Sequence, residues 1–469
     1  MVAAIPCLIA FPDLVVPAYD ESNNPHERPE YMVAMEFLQQ NDGNRLCWAY
    51  FWARAACLVF PLLGGWVCWR WTTQLYGGGA AVLVLLLWVT CPMILGWGAT
   101  VYTDVPAASM GVLASYCFWK WTCKQTRVSM AFAGVALGAA LLTKLIWILM
   151  PLIFLIIHII LQVKRWNSSG TNDEWKSANA QLLFLFAIAV LTVNLFYGFD
   201  RSLKPLGVIA FRSELFTGKR LLELQRGNRF NKSILGNLPV PFPEHFVLGL
   251  DTQRRDFEEQ KWSYLRGEYK LGGWYYYYVY AGLVKLPICT LLLLALAAAY
   301  TIVQYFRGPR SFDEMHLLMP AIAVLVLVSS QIGFNWYVRY AIPSLPFLYI
   351  WTGRLAQGLH STARWSQISL VMLFFLAAAE SVSVFPHSIS FFNLAIGGPK
   401  NGPKHLLYGA IDVGQDALLL KKWIDSHPEA NPIHIKFSGV MKPSHLGIES
   451  LEVPPHKFDS KEKFIPPKG

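Results

Sequence analysis

Long apolar runs separated by short basic turns fill most of this chain. Runs such as "AAVLVLLLWVTCPMILGWGA" and "LIWILMPLIFLIIHIILQV" match the roughly 20 apolar residues that a helix needs to cross a hydrocarbon core about 30 Å thick. The pattern predicts spans at 50–75, 79–100, 105–123, 129–143, 145–163, 180–199, 274–304, 316–333, 339–357 and 366–385, about ten in all. At the fourth and fifth, Thr143 and Lys144 mark either a tight hairpin or one bent segment.

Polar stretches divide the chain into three parts. Residues 1–48 form a loop, 49–385 a transmembrane domain that includes a long loop at 200–273, and 386–469 a terminal module. Within the long loop, "AFRSELFTGKRLLELQ" spaces apolar residues at helical intervals beside Arg and Lys, which predicts an interfacial helix; a solvated domain packing on itself is the alternative. The tail mixes strand-like "IHIKFSGV" with proline turns and predicts a small α/β module. The fold class expected is therefore an all-α polytopic membrane protein with that module attached.

Composition agrees. Hydrophobic residues make up 54% and charged residues 15%, against roughly 25% charged in an ordinary soluble domain, and the 18 Trp suit interfacial belts. The net charge of +10 does not point to nucleic acid, because the basic residues flank apolar runs, where they set topology and attract anionic lipid. Lys120, Lys124, Arg127, Lys164, Arg165, Arg307, Arg310, Arg354 and Arg364 fall on one face, taken as cytoplasmic. Asp104, the 1–48 and 200–273 loops and the tail then lie on the outer face of a plasma or inner membrane.

The eight Cys show no metal-ligand spacing. Cys57, Cys68, Cys91, Cys117 and Cys289 lie in apolar runs as small buried hydrophobes, whereas Cys7 and Cys47 are candidates to pair in an oxidising compartment. The opening "MVAAIPCLIAFPDLVVP" lacks the basic start of a signal peptide and reads as the middle of a loop.

Charges inside or beside apolar runs are the candidate chemistry, since each costs roughly 2.5–3.5 kcal/mol at a span centre on insertion scales. In "TVYTDVPA", Thr103 or Asp104 caps the helix that follows, or Asp104 is a carboxylate held at the membrane rim to position or deprotonate an acceptor. Lys144 tips the hairpin or binds a lipid phosphate. Lys285, in "YAGLVKLPIC", sits beside helix-breaking Pro287. Arg339, in "FNWYVRYAIPSLPF", suits bidentate phosphate recognition or anchors the interface beside Trp336 and Tyr340. Glu380 is a lone acid near the end of the last span and a candidate partner for these cations. Asp412 and Asp416, in "DVGQD", are a metal or sugar contact or, more simply, the start of a helix.

These charges collect on one face, unlike the midplane charges and internal repeats of a transporter. Several segments carry a resemblance: "ARAACLVFPLLGGWVCWRWTTQLYG", "GWGATVYTDVPAAS", "AGVALGAALLTKLIWILMP", "GGWYYYYVYAGLVKLP", "RYAIPSLPF", and "FPHSISFFNLAIGGPKNG" with "DVGQDALLLKKW". In these the chain resembles the family 39-like membrane glycosyltransferases, which include dolichyl-phosphate-mannose:protein mannosyltransferases and aminoarabinose transferases. The resemblance implies the C-type membrane fold. It also implies transfer of a sugar from a polyprenyl-phosphate donor to a protein, lipid or glycan acceptor on the outer face. In the family a first-loop acid is taken as the catalytic base. Asp104 matches the second-loop acid that helps arrange the site, and is the catalytic candidate here as a supporting acid or a weak substitute base. Lys144, Lys285 and Arg339 fall where members also carry basic residues and are the candidates to bind the lipid phosphate or sugar. The first transmembrane helix and first-loop acidic pair of the family have no counterpart here, so inactivity of the chain as given is one expectation. No motif calls for a cofactor, and a divalent metal is left open. The rival readings are a non-catalytic membrane scaffold and a transporter of a lipid-linked substrate.

Overall fold

A computed structural model describes residues 2–18, 29–166, 172–218, 226–307, 312–356, 364–430, 432–435 and 443–452. The chain forms two compact units, one of residues 1–53 and 412–469 and the other of 54–411. The first unit holds α1 (Ala4–Ala10), α2 (Pro29–Gln40) and the start of α3 (Gly43–Cys57). Cys7 and Cys47 do not pair: both are free, and the Cys7 thiol donates to the Ala49 carbonyl at 3.1 Å.

The second unit runs through α4 (Val59–Tyr76), α5 (Gly78–Thr90), α6 (Pro92–Gly98), α7 (Asp104–Cys123), α8 (Arg127–Thr143), α9 (Met150–Trp166) and α10 (Asn172–Phe196). The loop region follows, with α11 (Glu214–Thr217), α12 (Glu244–Glu258) and an antiparallel hairpin, β1 (Trp262–Leu265) and β2 (Glu268–Leu271). Then come α13 (Tyr277–Lys285), α14 (Ile288–Arg307), α15 (Met315–Ser330), α16 (Leu345–Thr352) and α17 (Arg364–Val382). Back in the first unit, α18 (Ala417–Ser426) accompanies a parallel pair, β3 (Ile433–Ile435) and β4 (Ser450–Glu452). The strands and helix of the tail thus begin beyond 412. Residues 386–411 lie with the helices, tied by the Asn393 amide to the carbonyls of Leu283 and Leu286.

Among the described residues, five helices are long and apolar enough to cross a membrane: Gly43–Tyr76, Leu145–Arg165, Lys176–Phe196, Ile288–Phe306 and Arg364–Val382. A sixth follows if Gly78–Thr90 and Pro92–Gly98, bent by 55°, make one span. The protein is an integral membrane protein. Two of the other predicted spans are interrupted at prolines. Proline removes a backbone donor and excludes the α region from the residue before it, so 274–304 breaks at Leu286–Pro287 and 339–357 starts as a 3-10 turn, Val338–Ser344. Residues 129–143 and 145–163 are separate helices, because Lys144 is extended.

Of the predicted interfacial helix, residues 219–225 lie outside the described residues, and the described part is the single turn Glu214–Thr217. The organising helix of the loop is instead α12, which the sequence reading missed. Its buried Asp251 accepts from the backbone of Arg212 and Ser213 at 2.6 and 3.0 Å.

Small residues set one close helix contact. Gly134 and Gly138 of α8 lie against α10, where a Cβ would come within 2.7 Å of the Leu185 and Ala189 carbonyls, a GxxxG-type approach of two backbones. Gly138→Leu is expected to force the helices apart at a cost of about 1–3 kcal/mol or more, read as a lowered melting temperature in detergent. An unchanged melting temperature would show that this contact does not hold the bundle.

Candidate functional site

Two polar clusters lie at opposite ends of α7, whose 20 residues span about 30 Å. At its Cys123 end, Arg165 donates to the Thr122 carbonyl at 2.8 Å, Trp119 donates to Asp313 at 2.8 Å, and Arg354 pairs with Glu314. These are basic turns that the sequence placed together. At the other end stands Asp104.

Asp104 is the first residue of α7 and is buried, 1% exposed. It does not serve as the predicted cap: Thr103 occupies the cap position and makes no side-chain cap bond. One carboxylate oxygen pairs with Lys144 and the other faces Arg339 Nε at 3.1 Å. All three side chains are buried or nearly so. Two cations against one carboxylate leave the cluster with a net positive charge, which is costly in a low-dielectric site without a counter-anion.

Aromatic rings complete the enclosure. The Arg339 guanidinium lies 4.0 Å from the Tyr337 ring, 4.2 Å from Tyr102 and 4.9 Å from Trp97, and Lys144 Nζ is 4.4 Å from Tyr340. Ring faces attract cations but offer no hydrogen-bond acceptor to every guanidinium N–H. Arg339 Nη1 is buried and has no hydrogen-bond partner among the described residues.

Backbone geometry places each member. Extended Lys144 breaks α8 from the 3-10 turn Leu145–Leu149. That turn is pinned by Trp147, which donates to the Ala107 carbonyl at 2.8 Å and sits on Gly111 of α7. A Cβ at Gly111 would lie 2.0 Å from the Trp147 ring. Gly111→Val is therefore expected to displace Trp147 and with it Lys144, weakening anion binding at the cluster; unaltered affinity would show that Lys144 is held by other means. Beside the cluster, a cavity of about 150 Å³ runs from Lys144 and Tyr340 between apolar residues including Leu250, Phe257 and Leu327, with Arg254 on its wall.

Of the residues singled out from sequence, Asp104, Lys144 and Arg339 come together; Lys285 and Glu380 do not join them. Lys285 is buried, donates to the carbonyls of Ile389 and Ala410 at 2.7 and 2.6 Å, and lies over the Phe392 ring. Glu380 accepts from the backbone N–H groups of Ile288 and Leu394 at 2.8 and 2.9 Å, securing the start of α14. Asp412 closes a turn on Gly414 N, and Asp416 stands at the cap position of α18. No group of three His, Cys, Asp or Glu able to hold a metal occurs among the described residues. Tyr102, Tyr337 and Trp97 were missed; their signal was aromatic density around a lone arginine and a lone aspartate.

Residues 48–195, a stretch that includes Asp104 and Lys144, match the family model described as Dolichyl-phosphate-mannose-protein mannosyltransferase. The matched stretch makes up about a third of the chain. The match is to a family of lipid-phosphate-sugar membrane glycosyltransferases and agrees with the resemblance read from the sequence. Two solved structures are similar to the chain. One, of ArnT from Cupriavidus metallidurans bound to undecaprenyl phosphate, is 17% identical with a TM-score of 0.47, over 85% of this chain and 62% of that one. The other, of the same protein in the apo state, is 16% identical with a TM-score of 0.41, over 79% and 56%. The chain thus spans less than two thirds of either. No curated protein matches it.

Proposed function

We propose that this protein transfers a sugar from a polyprenyl-phosphate donor to a protein, lipid or glycan acceptor at the outer face of the membrane, and that the Asp104–Lys144–Arg339 cluster binds the donor's phosphate. The observation that carries this is the buried excess of positive charge with an unpartnered guanidinium N–H. Such a group calls for an anion, and a guanidinium suits phosphate oxygens. The adjoining apolar cavity supplies a place for the first lipid carbons. About ten crossings, the number the apolar pattern predicts, would set this end of α7 outside and the basic turns inside, in keeping with the basic-residue rule; the described residues hold five or six helices long enough to cross.

In the proposed reaction the bond from the anomeric carbon to the phosphate oxygen breaks, and its electron pair leaves on the phosphate. Arg339 and Lys144 stabilise that growing charge. The acceptor oxygen attacks the opposite face of an oxocarbenium-like carbon and gives up its proton to a base. Since each oxygen of Asp104 faces a cation, its part is to hold the two cations in place, the supporting role among those open from sequence.

The test uses the purified chain in liposomes with a radiolabelled undecaprenyl-phosphate sugar and a peptide or lipid acceptor. Label moving to the acceptor supports a transferase; an intact donor that merely crosses the bilayer supports a transporter, and neither outcome supports a scaffold. Lys285→Met is expected to lower stability, by stranding two carbonyls at about 1–3 kcal/mol each, while the folded fraction keeps its affinity for undecaprenyl phosphate.

A further inference from the structure

We infer that the paired loops 199–208 and 234–240 form a rigid wedge that dips into an anionic phospholipid leaflet, independently of the donor site. Five apolar side chains on these loops point outward: Leu203, Val208, Ile234, Leu235 and Leu238 are each more than half exposed, and Ile234 is 88% exposed. Exposed apolar residues clustered on one face mark a contact surface.

These side chains cannot simply fold back. Leu203 N donates to the Val240 carbonyl, Val240 N to Lys204, and Leu206 N to Leu238, each at 3.0 Å. Gly207 and Gly236 bring the two backbones into contact, and a Cβ at Gly236 would lie 2.2 Å from the Phe230 carbonyl. Ser233 caps the turn Ile234–Asn237 through Gly236 N. Asn194, on the last turns of α10, ties in both loops by accepting from Ser202 and donating to the Pro241 carbonyl at 2.8 Å. Phe199, Arg201 and Leu203 are held at positive φ, 50° to 62°, a strain that persists only where surrounding bonds over-determine the backbone.

Two observations identify lipid as the occupant. First, the wedge continues a span: Lys176–Phe196 ends just before it, with Leu195 and Phe196 exposed on its last turn. Second, the charge is complementary to anionic headgroups. Residues 199–208 and 226–240 carry Arg201, Lys204, Arg226, Arg229 and Lys232 against Asp200, and the balance stays positive with Glu244, which pairs with Arg201 and Lys204, counted too. Basic groups beside an inserted apolar tip attract such headgroups. Glu244 holds Lys204 and Arg201 at 2.6 and 3.3 Å, fixing them at the rim of the wedge.

The test reconstitutes the full chain in liposomes of phosphatidylcholine and phosphatidylglycerol whose acyl chains carry a diazirine. Irradiation and peptide mapping should give lipid adducts on peptides containing 203–208 and 234–238, with little labelling there by a water-soluble carbene reagent. Ile234→Asp combined with Leu235→Asp should cut those adducts several-fold and leave adducts on the Lys176–Phe196 peptide unchanged, which controls for folding. Replacing phosphatidylglycerol by phosphatidylcholine should also reduce the adducts. Loops labelled by the water-soluble reagent instead, or cross-linked to a second copy or another protein, would overturn the wedge. Equal adducts in both lipid mixtures would overturn its preference for anionic headgroups.

Discussion

Arg339→Ala is expected to slow sugar transfer about 10²–10³-fold, the usual loss when one preorganised donor to a developing oxyanion is removed. The variant also removes the net positive charge of the cluster, because Asp104 then faces Lys144 alone. Affinity for the donor falls together with turnover, since the same phosphate is bound before and after the bond breaks. Arg339→Lys should recover only part of the loss. Lysine restores charge but not the planar fork that lies against Tyr337 and Tyr102. A lysine variant equal to wild type would mean that a point charge suffices and that the aromatic enclosure does nothing for recognition.

Asp104→Asn has the largest expected effect on stability. It leaves Lys144 and Arg339 buried side by side without a counter-charge, a change that costs about 3–5 kcal/mol when one partner of a buried pair is removed. The expected signature is a lowered melting temperature that undecaprenyl phosphate partly restores, because an anion bound only by the folded state stabilises it by mass action. Combining Asp104→Asn with Lys144→Met should recover stability without recovering transfer. Were Asp104 chiefly the base, Asp104→Asn would abolish transfer while leaving the melting temperature near that of wild type. Melting curves with and without the lipid separate these outcomes.

Charges in apolar surroundings were visible from sequence because their cost makes them rare, and three of them prove to be one cluster. Sequence did not show which cations would share it. Lys144 and Lys285 look alike as lone lysines in apolar runs, but Lys285 finds its partners in carbonyls 104 and 125 residues away. Contacts so distant leave no local pattern. The rings around Arg339 were hidden for another reason: Trp and Tyr crowd every membrane interface, so Trp97, Tyr102 and Tyr337 did not stand out. Helix positions followed the apolar pattern closely. Span continuity did not, because Pro287 and Pro343 break runs that hydropathy reads as unbroken. In the loop, α12 escaped notice since its polar and apolar residues mix without a long apolar run, whereas it is Asp251 and Phe257 that fix its place, the latter stacking on Phe334 at 5.2 Å.

Binding of undecaprenyl phosphate to the monodisperse protein, compared among wild type, Arg339→Ala and Lys285→Met, tests most directly whether the cluster is the phosphate site. Arg339→Ala should weaken binding at least about tenfold, the equivalent of 1.4 kcal/mol, and Lys285→Met should bind as wild type does. Undiminished binding by Arg339→Ala, or a loss confined to Lys285→Met, would contradict it and move the phosphate away from Asp104.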